Sequence, residues 1–298
     1  MNEIYVHGYT PHESRRLQDQ ASTLIDLLHR DTFYPPGSRV LEAGCGVGAQ
    51  TLTLAHNSPD AQITSIDVSA GSLVEARKRA ETVSVTNVQF RQADIFALPF
   101  AGESFDHVFV CFVLEHLSHP VQALAALRAV LKPGGTITVI EGDHGSAYFY
   151  PHSEAAHKAI QCQVQLQSEA GGNALVGRQL YPLLVQAGFK AARVSPRMVY
   201  VDSTRPDLAD GVIRKTFTAM IEGVREAAIE AGMLTSEVFD AGIRALYRTA
   251  EPGGVFRYTF FKAVAKKEPC AELRGAANGS QPICSETNQT SSAVRCTG

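Results

Sequence analysis

The chain has 298 residues, of which 45% are hydrophobic, and this composition is sufficient for a packed globular core. Its formal net charge of -3 lacks the excess of positive charge with which proteins hold nucleic-acid phosphates, so no nucleic-acid partner is expected. The six cysteines form no C-x-x-C pair, which predicts reduced thiols. No apolar run approaches the roughly 18 residues of a membrane span, and no leader pattern opens the sequence, so we expect a soluble cytoplasmic protein.

The first predicted element is an N-terminal helix. Leucine and alanine residues recur at helical spacing between residues 17 and 28, and the pattern stops before the Tyr-Pro-Pro-Gly stretch at 34–37. Strand and helix patterns then alternate. Strands are predicted at 39–43, 61–67, 87–93, 105–112 and 135–141, with helices after residue 48 and at 71–82 and 120–131. Strands separated by helices are typical of a parallel sheet built from right-handed βαβ units.

The regular alternation stops after residue 141. An insertion of about thirty residues is predicted to hold a loop and one helix, and it is followed by a helix at 179–187 and a strand at 192–201. Residues 203–251 have helical periodicity, and residues 255–264 form the last predicted strand. Both insertions exceed ordinary connection lengths, so we expect them to build a helical cap; a homodimer interface within 203–251 is the alternative. The polar, aperiodic residues 266–298 predict a disordered tail.

The sequence VLEAGCGVGAQT, residues 40–51, places glycines directly after the first strand of the α/β pattern. Gly44, Gly46 and Gly48 let the chain turn and let a ligand approach the backbone closely. With Ala49 as its last position, the same stretch also satisfies the G-x-G-x-x-G/A fingerprint of dinucleotide-binding proteins. The glycines alone therefore leave two cofactors open, a nicotinamide dinucleotide and S-adenosylmethionine.

Two acidic residues near this loop bear on the choice of cofactor. Glu42 would face the pyrophosphate of a dinucleotide unfavourably, whereas a carboxylate suits the ammonium group of S-adenosylmethionine. Asp67 ends the second strand, where it can accept hydrogen bonds from the ribose hydroxyls of either cofactor. Glu42 therefore favours S-adenosylmethionine, and a NAD(P)-dependent oxidoreductase stays as the minor alternative.

Five segments in chain order, VLEAGCGVG, SIDVS, QADIFALPF, FDHVFVCFVLEHL and LKPGG, resemble the class I S-adenosylmethionine-dependent methyltransferases, in particular their ubiquinone/menaquinone-biosynthesis-like branch. The resemblance implies an α/β, Rossmann-like fold in which helices flank a seven-stranded, mostly parallel sheet of order 3-2-1-4-5-7-6. We accordingly expect an N-terminal helical lid at 1–34 and a cofactor-binding core at 35–142. Residues 143–265 of the same domain would hold the cap insertions, the last core helix and the last two strands.

The resemblance also implies a cofactor site, residue by residue. Glu42, Gly44 and Gly46 would surround the methionine part of the cofactor, with Gly48 in the same loop. Asp67 would bind the ribose, with Val68 beside it, and Asp94 and Ile95 would contact the adenine. Cys111, Phe112 and Val113, after the fourth strand, would line the floor near the sulfonium. Tyr9 and Gln20 resemble lid positions that close over the cofactor in similar enzymes.

The expected reaction is transfer of a methyl group to a small-molecule acceptor by in-line displacement, with S-adenosyl-L-homocysteine as the product. Candidate bases follow the fifth strand, at the sheet edge where ligands bind in α/β folds. We interpret His144 as the base, because the pKa of histidine lies near working pH, and Tyr148 as a second catalytic candidate that contacts the substrate. The histidines have no paired metal-ligand spacing, so no metal is expected. A non-catalytic S-adenosylmethionine-binding regulatory subunit is the alternative function.

Overall fold

The structure, a computed structural model, describes residues 11–269, with side chains described at Arg16, at Gln20 and from Ala21 onward. The predicted lid residue Tyr9 and most of the predicted tail lie outside the described residues. The described residues up to Glu268 form one compact unit. The division at 34/35 and 142/143 stays a prediction. Within the described part of the chain, no helix is both long and apolar enough to cross a membrane.

Strands and helices alternate through the first half of the described chain, as the sequence pattern predicts. The strands are β1 (Arg39–Ala43), β2 (Gln62–Asp67), β3 (Val88–Gln92), β4 (Phe105–Cys111), β5 (Leu131–Gly142), β6 (Tyr148–Tyr150), β7 (Lys190–Asp202) and β8 (Val255–Lys266). The helices are α1 (Pro11–His29), α2 (Thr51–Asn57), α3 (Ala70–Thr82), α4 (Pro120–Val130), α5 (Glu154–Glu169), α6 (Leu180–Gln186), α7 (Pro206–Leu208), α8 (Ala219–Glu222), α9 (Arg225–Glu230) and α10 (Ser236–Arg248). A π-helical segment, Ala209–Thr218, joins α7 to α8.

The strands form one mixed sheet of order β3-β2-β1-β4-β5-β8-β6, with β7 paired to the other edge of β8. The pairs from β3 to β5 are parallel, and β8 runs antiparallel to β5. The predicted mostly parallel Rossmann-like sheet is therefore confirmed, and the predicted sixth and seventh strands correspond to β7 and β8.

One strand was not expected. The predicted loop after the fifth strand contains β6, which pairs with Val255–Arg257 at the start of β8. β5 pairs with the later part of β8, from Phe260 onward, so the start of β8 has an unoccupied edge that β6 fills. The extra strand follows from the length of β8 and not from any alternation in the three residues of β6 itself.

Two apolar layers enclose the sheet. On one face, the insertion helices α5 and α10, the π-helical segment and α1 share a continuous core with the sheet, which includes Leu24, Phe109, Phe239 and Phe256. On the other face, α4 and α6 pack against β4 and β5. The long insertions thus bury their apolar stripes on the same sheet face as the N-terminal helix, and this layer lies over the region where the candidate site is found.

The packing of α1 against the π-helical segment is unusually close at Gly211. A Cβ atom at this position would lie 2.4 Å from Thr23 Oγ1 and 2.6 Å from Thr23 Cγ2. Such distances are far below van der Waals contact, so one of the two elements would have to move.

We therefore expect Gly211→Ala to destabilise the protein by about 1–3 kcal/mol through overpacking, although alanine is the better helix former. The free energy of urea unfolding measures the effect. Gly223→Ala is the matched control, because a Cβ there meets only ordinary contacts of 3.4 Å on an exposed helix end. Equal unfolding midpoints for the two variants would contradict the close packing of α1 on the π-helical segment.

Candidate cofactor and acceptor site

The glycine loop between β1 and α2 has three residues with positive φ: Gly44 at 75°, Gly46 at 52° and Gly48 at 78°. Side chains at two of them would collide with neighbouring elements. A Cβ at Gly44 would lie 2.5 Å from Val113 Cγ2, and one at Gly48 would lie 3.0 Å from Ala76 Cβ. At Gly46, by contrast, no atom lies within 4 Å of the Cβ position. Gly44 and Gly48 therefore serve close packing, whereas Gly46 presents open backbone to which a ligand can come close.

Glu42 lies on β1, immediately before this loop, and only 2% of its surface is exposed. Its Oε2 accepts hydrogen bonds from the hydroxyls of Thr51 and Ser65, each at 2.6 Å. Burial raises the pKa of Glu42 to about 7, and the negative charge of Asp67 adds to this, while the two hydroxyls oppose it. Because both hydroxyls donate to Oε2, Oε1 keeps its capacity to accept from a ligand. Glu42 is thus an oriented carboxyl group that titrates near neutral pH.

Asp67, at the end of β2, is attached to the same loop. Its Oδ2 accepts a hydrogen bond from the backbone N–H of Gly46, and its Oδ1 accepts one from the backbone N–H of Ser69, both at 2.8 Å. Burial raises the pKa of Asp67, although these backbone bonds favour its ionised form. Each oxygen retains a lone pair for a ligand donor such as a hydroxyl. Val68, the next residue, is 56% exposed.

Asp94 and Ile95 lie just past β3, the strand that pairs with β2. Asp94 is exposed and caps a short 3-10 turn, Ile95–Ala97, by accepting a hydrogen bond at 2.8 Å from the backbone N–H of Phe96. Ile95 is buried. Since the carboxyl ends of adjacent parallel strands meet at one sheet edge, the structure brings these two residues beside Asp67 and the glycine loop.

The chain makes a strained turn after β4. Phe112 has a positive φ of 57°, which is uncommon for a residue with a side chain. Its N–H donates to the carbonyl of Ile140, and the next two N–H groups, of Val113 and Leu114, donate to Glu141 Oε1 at 3.0 and 2.7 Å. Glu141 on β5 is fully buried, and burial together with the nearby Glu115 raises its pKa well above the usual range. Glu141 therefore acts here as the anchor that holds the Cys111–Val113 wall beside Gly44.

His144 lies in a 3-10 turn, His144–Ser146, after β5 and is 6% exposed. Its Nδ1 lies 2.7 Å from the hydroxyl of Tyr258 on β8. Its Nε2 lies 3.7 Å from Glu115 Oε2 and, within the described residues, has no hydrogen-bond partner. Burial lowers the pKa of His144, while Glu115 opposes that shift. Burial therefore favours the neutral imidazole, and Nε2 is a buried nitrogen without a hydrogen-bond partner among the described residues.

Aromatic rings connect this histidine to the wall after β4. The ring of Tyr258 lies 5.9 Å from that of His144 and 4.7 Å from that of Phe260, and Phe260 lies 5.7 Å from Phe112. Phe217, from the π-helical segment, lies 6.4 Å from His144 and 5.5 Å from Tyr258. The sequence did not predict a role for Tyr258, which is 114 residues from His144. The one available signal was the alternation of the last strand, which directs the side chain of residue 258 toward the core.

One predicted site residue, Tyr148, lies apart from these groups. Tyr148 on β6 is 66% exposed, and its ring packs against the guanidinium of Arg257 at 5.5 Å. Its neighbour Phe149 faces the core that contains Tyr258, so Tyr148 points to the opposite side of the sheet. Gln20 on α1 is buried and accepts a hydrogen bond at 3.1 Å from Arg16, whose positive charge contributes to the lowered pKa of His144; the lid role of Gln20 stays a prediction. The structure does not bring Tyr148 together with His144.

Within the described residues, no three histidine, cysteine or acidic side chains come together in a way that could hold a metal ion. The expected absence of a metal stays a prediction.

The role of Glu141 can be tested by comparing two substitutions. Glu141→Ala leaves two buried backbone N–H groups without an acceptor, and we expect a loss of about 2–4 kcal/mol in the free energy of unfolding. Glu141→Gln keeps a side-chain oxygen at the same place and should lose less than half of that amount. Urea denaturation provides both values. Equal destabilisation by the two variants would show that the hydrogen bonds from Val113 and Leu114 do not hold the wall.

Comparison with known proteins gives one family match. A methyltransferase-domain family matches residues 41–139, the segment from β1 to β5. Among curated relatives, the ubiquinone/menaquinone biosynthesis C-methyltransferase of Pseudomonas fluorescens is 38% identical over 107 residues, or 35% of this chain and 42% of that protein. The 27-O-demethylrifamycin SV methyltransferase of Amycolatopsis mediterranei is 31% identical over 134 residues, or 45% and 49%. The chain spans between 35% and 58% of the length of the first curated relatives that it matches.

Solved structures agree with this assignment at the level of the fold. Phosphoethanolamine N-methyltransferase 2 of Haemonchus contortus, in complex with phosphomonomethylethanolamine and S-adenosylhomocysteine, superposes with a TM-score of 0.52 at 18% identity. The likeness covers 85% of this chain and 53% of that one. The family match, the related sequences and the sheet order agree with the resemblance found in the sequence. Residues 41–139 therefore match a methyltransferase-domain family and are similar to class I S-adenosylmethionine-dependent methyltransferases.

Proposed function

We propose that this protein transfers a methyl group from S-adenosylmethionine to a small-molecule acceptor. The observation that carries the proposal is Glu42, a buried, oriented carboxyl group beside a glycine whose backbone is open. A carboxylate in this position attracts the ammonium of an amino-acid-bearing cofactor and repels the pyrophosphate of a dinucleotide. This argues against the oxidoreductase alternative, which shares the glycine loop.

The described residues fit this cofactor. Glu42 and the open backbone at Gly46 would hold the methionine part, Asp67 would accept from the ribose hydroxyls, and Asp94 with Ile95 would contact the adenine. Cys111, Phe112 and Val113 would form the wall near the sulfonium. When bound, the cofactor supplies a methyl group made electrophilic by the positively charged sulfur. The protein has then to orient the acceptor and exclude water.

The acceptor would contact the aromatic surface that runs from Phe112 through Phe260 and Tyr258 to His144. The insertion helices cover this face of the sheet. An aromatic surface beneath a layer of helices favours a small apolar or aromatic molecule over a macromolecule. The relatives named for ubiquinone and menaquinone biosynthesis and for 27-O-demethylrifamycin SV support a small-molecule acceptor.

His144 is the proposed base for an acceptor that must lose a proton. Its lowered pKa favours the neutral ring. In the tautomer whose Nδ1–H donates to the Tyr258 hydroxyl, Nε2 would be the nitrogen that accepts the proton. Glu115, 3.7 Å from Nε2, then stabilises the imidazolium. Tyr148 is not part of this proposal, because it lies on the opposite side of the sheet.

The proposal is tested by incubating the protein with methyl-labelled S-adenosylmethionine and a cell extract separated by size. We expect one new labelled species in the small-molecule fraction. Label in protein or nucleic acid alone would contradict a small-molecule acceptor. Cofactor binding without label in any fraction would favour the regulatory-subunit alternative.

The pKa of Glu42 predicts a pH dependence of cofactor affinity. Because its pKa is about 7 in the free protein, the carboxylate that attracts the ammonium is lost as the pH falls through 7, so affinity should decrease from pH 8 to pH 6. Glu42→Gln should weaken binding at pH 8 by about tenfold or more and flatten this dependence. Titration calorimetry measures both effects, and Glu75→Gln, an exposed acid on α3, is the matched control. Unchanged affinity in Glu42→Gln would show that Glu42 does not bind the ammonium group and would leave the loop equally compatible with a dinucleotide.

Removal of the proposed base should affect turnover and not cofactor binding. For His144→Asn we expect kcat to fall by about 100-fold or more, with the affinity for S-adenosylhomocysteine unchanged. In the parent protein, kcat should fall as the pH drops through the lowered pKa of His144, since protonation removes the base. The control is His152→Asn, at a histidine whose side chain is 67% exposed. A normal kcat in His144→Asn would exclude His144 as the base.

A further inference from the structure

A cavity of about 340 Å³ lies between the end of α1 and the β7–β8 pair. Its lining includes Asp31, Thr138, Arg193, Ser195, Arg197 and Lys262. None of these residues has a role in the proposed cofactor or acceptor site. The volume is at the lower end of the range found for small-molecule sites in proteins, which is roughly 300–1,000 Å³.

The cavity has more positive than negative charge. Lys262 is buried, and its ammonium donates hydrogen bonds to the carbonyl of Leu28, to Asp31 Oδ1 and to Thr32 Oγ1. Arg197 forms a second ion pair with Asp31. Although partial burial opposes it, these two cations lower the pKa of Asp31 to about 2, so Asp31 is ionised at neutral pH. The lining thus contains one carboxylate, Asp31, and three cationic side chains, Arg193, Arg197 and Lys262, so it carries two net positive charges.

The two arginines differ in how far they are already engaged. Arg197 is 12% exposed, and one of its terminal nitrogens donates to Asp31 Oδ2. The side chain of Arg193 is exposed, lines the cavity and makes no hydrogen bond or ion pair with a described residue. The guanidinium of Arg193 is therefore free to donate to an acceptor inside the cavity.

The pairing of β7 with β8 brings these donors to one place. Residues 193, 195 and 197 alternate along β7, so their side chains project to the same face of the sheet. Ser195 lies between the two arginines along β7, and its hydroxyl donates a hydrogen bond at 3.3 Å to the backbone carbonyl of Lys262. An ion that accepts from both guanidinium groups needs several acceptor oxygens.

We propose that this cavity is a binding site for a phosphoryl group, carried by inorganic phosphate or by a small phosphorylated metabolite. A phosphate monoester has a charge of about -1.5 to -2 at neutral pH, which matches the two net positive charges of the lining. Its oxygens suit the planar donor fork of arginine, which binds phosphate in bidentate fashion. The cavity is larger than one tetrahedral anion, and the remaining space accommodates the organic part of a metabolite.

Inorganic phosphate is the first probe, measured by titration calorimetry and by thermal unfolding. Phosphate also stabilises proteins through exclusion from their surface, so specific binding is judged from the difference in phosphate effect between the variants and the parent protein. The test variant is Arg193→Gln, which removes one cation that supports no other contact. The matched control is Arg257→Gln, which removes an exposed arginine of β8 that packs on Tyr148 on the opposite side of the sheet.

We expect phosphate to bind the parent protein and Arg257→Gln with equal affinity, and Arg193→Gln about tenfold more weakly. The phosphate affinity of Arg193→Lys should lie between these two values, because lysine keeps the positive charge and lacks the planar pair of donors of arginine. Equal phosphate effects in all variants would overturn the site. Glycerol phosphate distinguishes the sources of the phosphoryl group, since tighter binding than that of inorganic phosphate identifies a metabolite. Tighter binding of succinate than of either phosphate would overturn the assignment of a phosphoryl group.

Discussion

The carboxyl group of Glu42 is buried at the end of β1, and its removal from water strongly disfavours the ionised form. Two hydroxyls from different elements offset that cost: Ser65 from the neighbouring strand and Thr51 from the first turn of α2. The carboxyl group therefore fixes the position of α2 relative to β1 and β2. The glycine loop lies between these elements, and its open backbone at Gly46 depends on their spacing. Asp67 attaches the loop to β2 from the other side.

A second buried acid, Glu141 on β5, also positions a neighbouring segment of the chain. Glu141, buried on β5, holds the two backbone N–H groups that follow Phe112 and so keeps that residue in its left-handed conformation. The wall next to Gly44 is thus positioned by a second buried acid. In both places an acidic side chain organises backbone at the carboxyl ends of the parallel strands, where ligands bind in folds of this type. The two acids differ in what they accept from, because Glu42 accepts from two side-chain hydroxyls and Glu141 accepts from two backbone N–H groups.

Much of the core could be predicted from the sequence because its signals are local. Alternating strand and helix patterns indicate the parallel sheet, and the glycines and Asp67 mark the loop that follows β1. Features that depend on the register of distant strands could not be predicted. Tyr258 meets His144 only because β8 returns antiparallel to β5. Tyr148 is directed away from the site by its pairing with Arg257, which no local pattern of three residues encodes.

We propose that the glycine loop holds a cofactor with an ammonium group and no phosphate. Titration calorimetry of the whole chain with S-adenosylmethionine, S-adenosylhomocysteine and NADH, under one set of conditions, distinguishes this cofactor from a dinucleotide. We expect saturable binding of the first two compounds and no measurable heat with NADH. Saturable binding of NADH without binding of either S-adenosyl compound would show that the loop holds a dinucleotide instead.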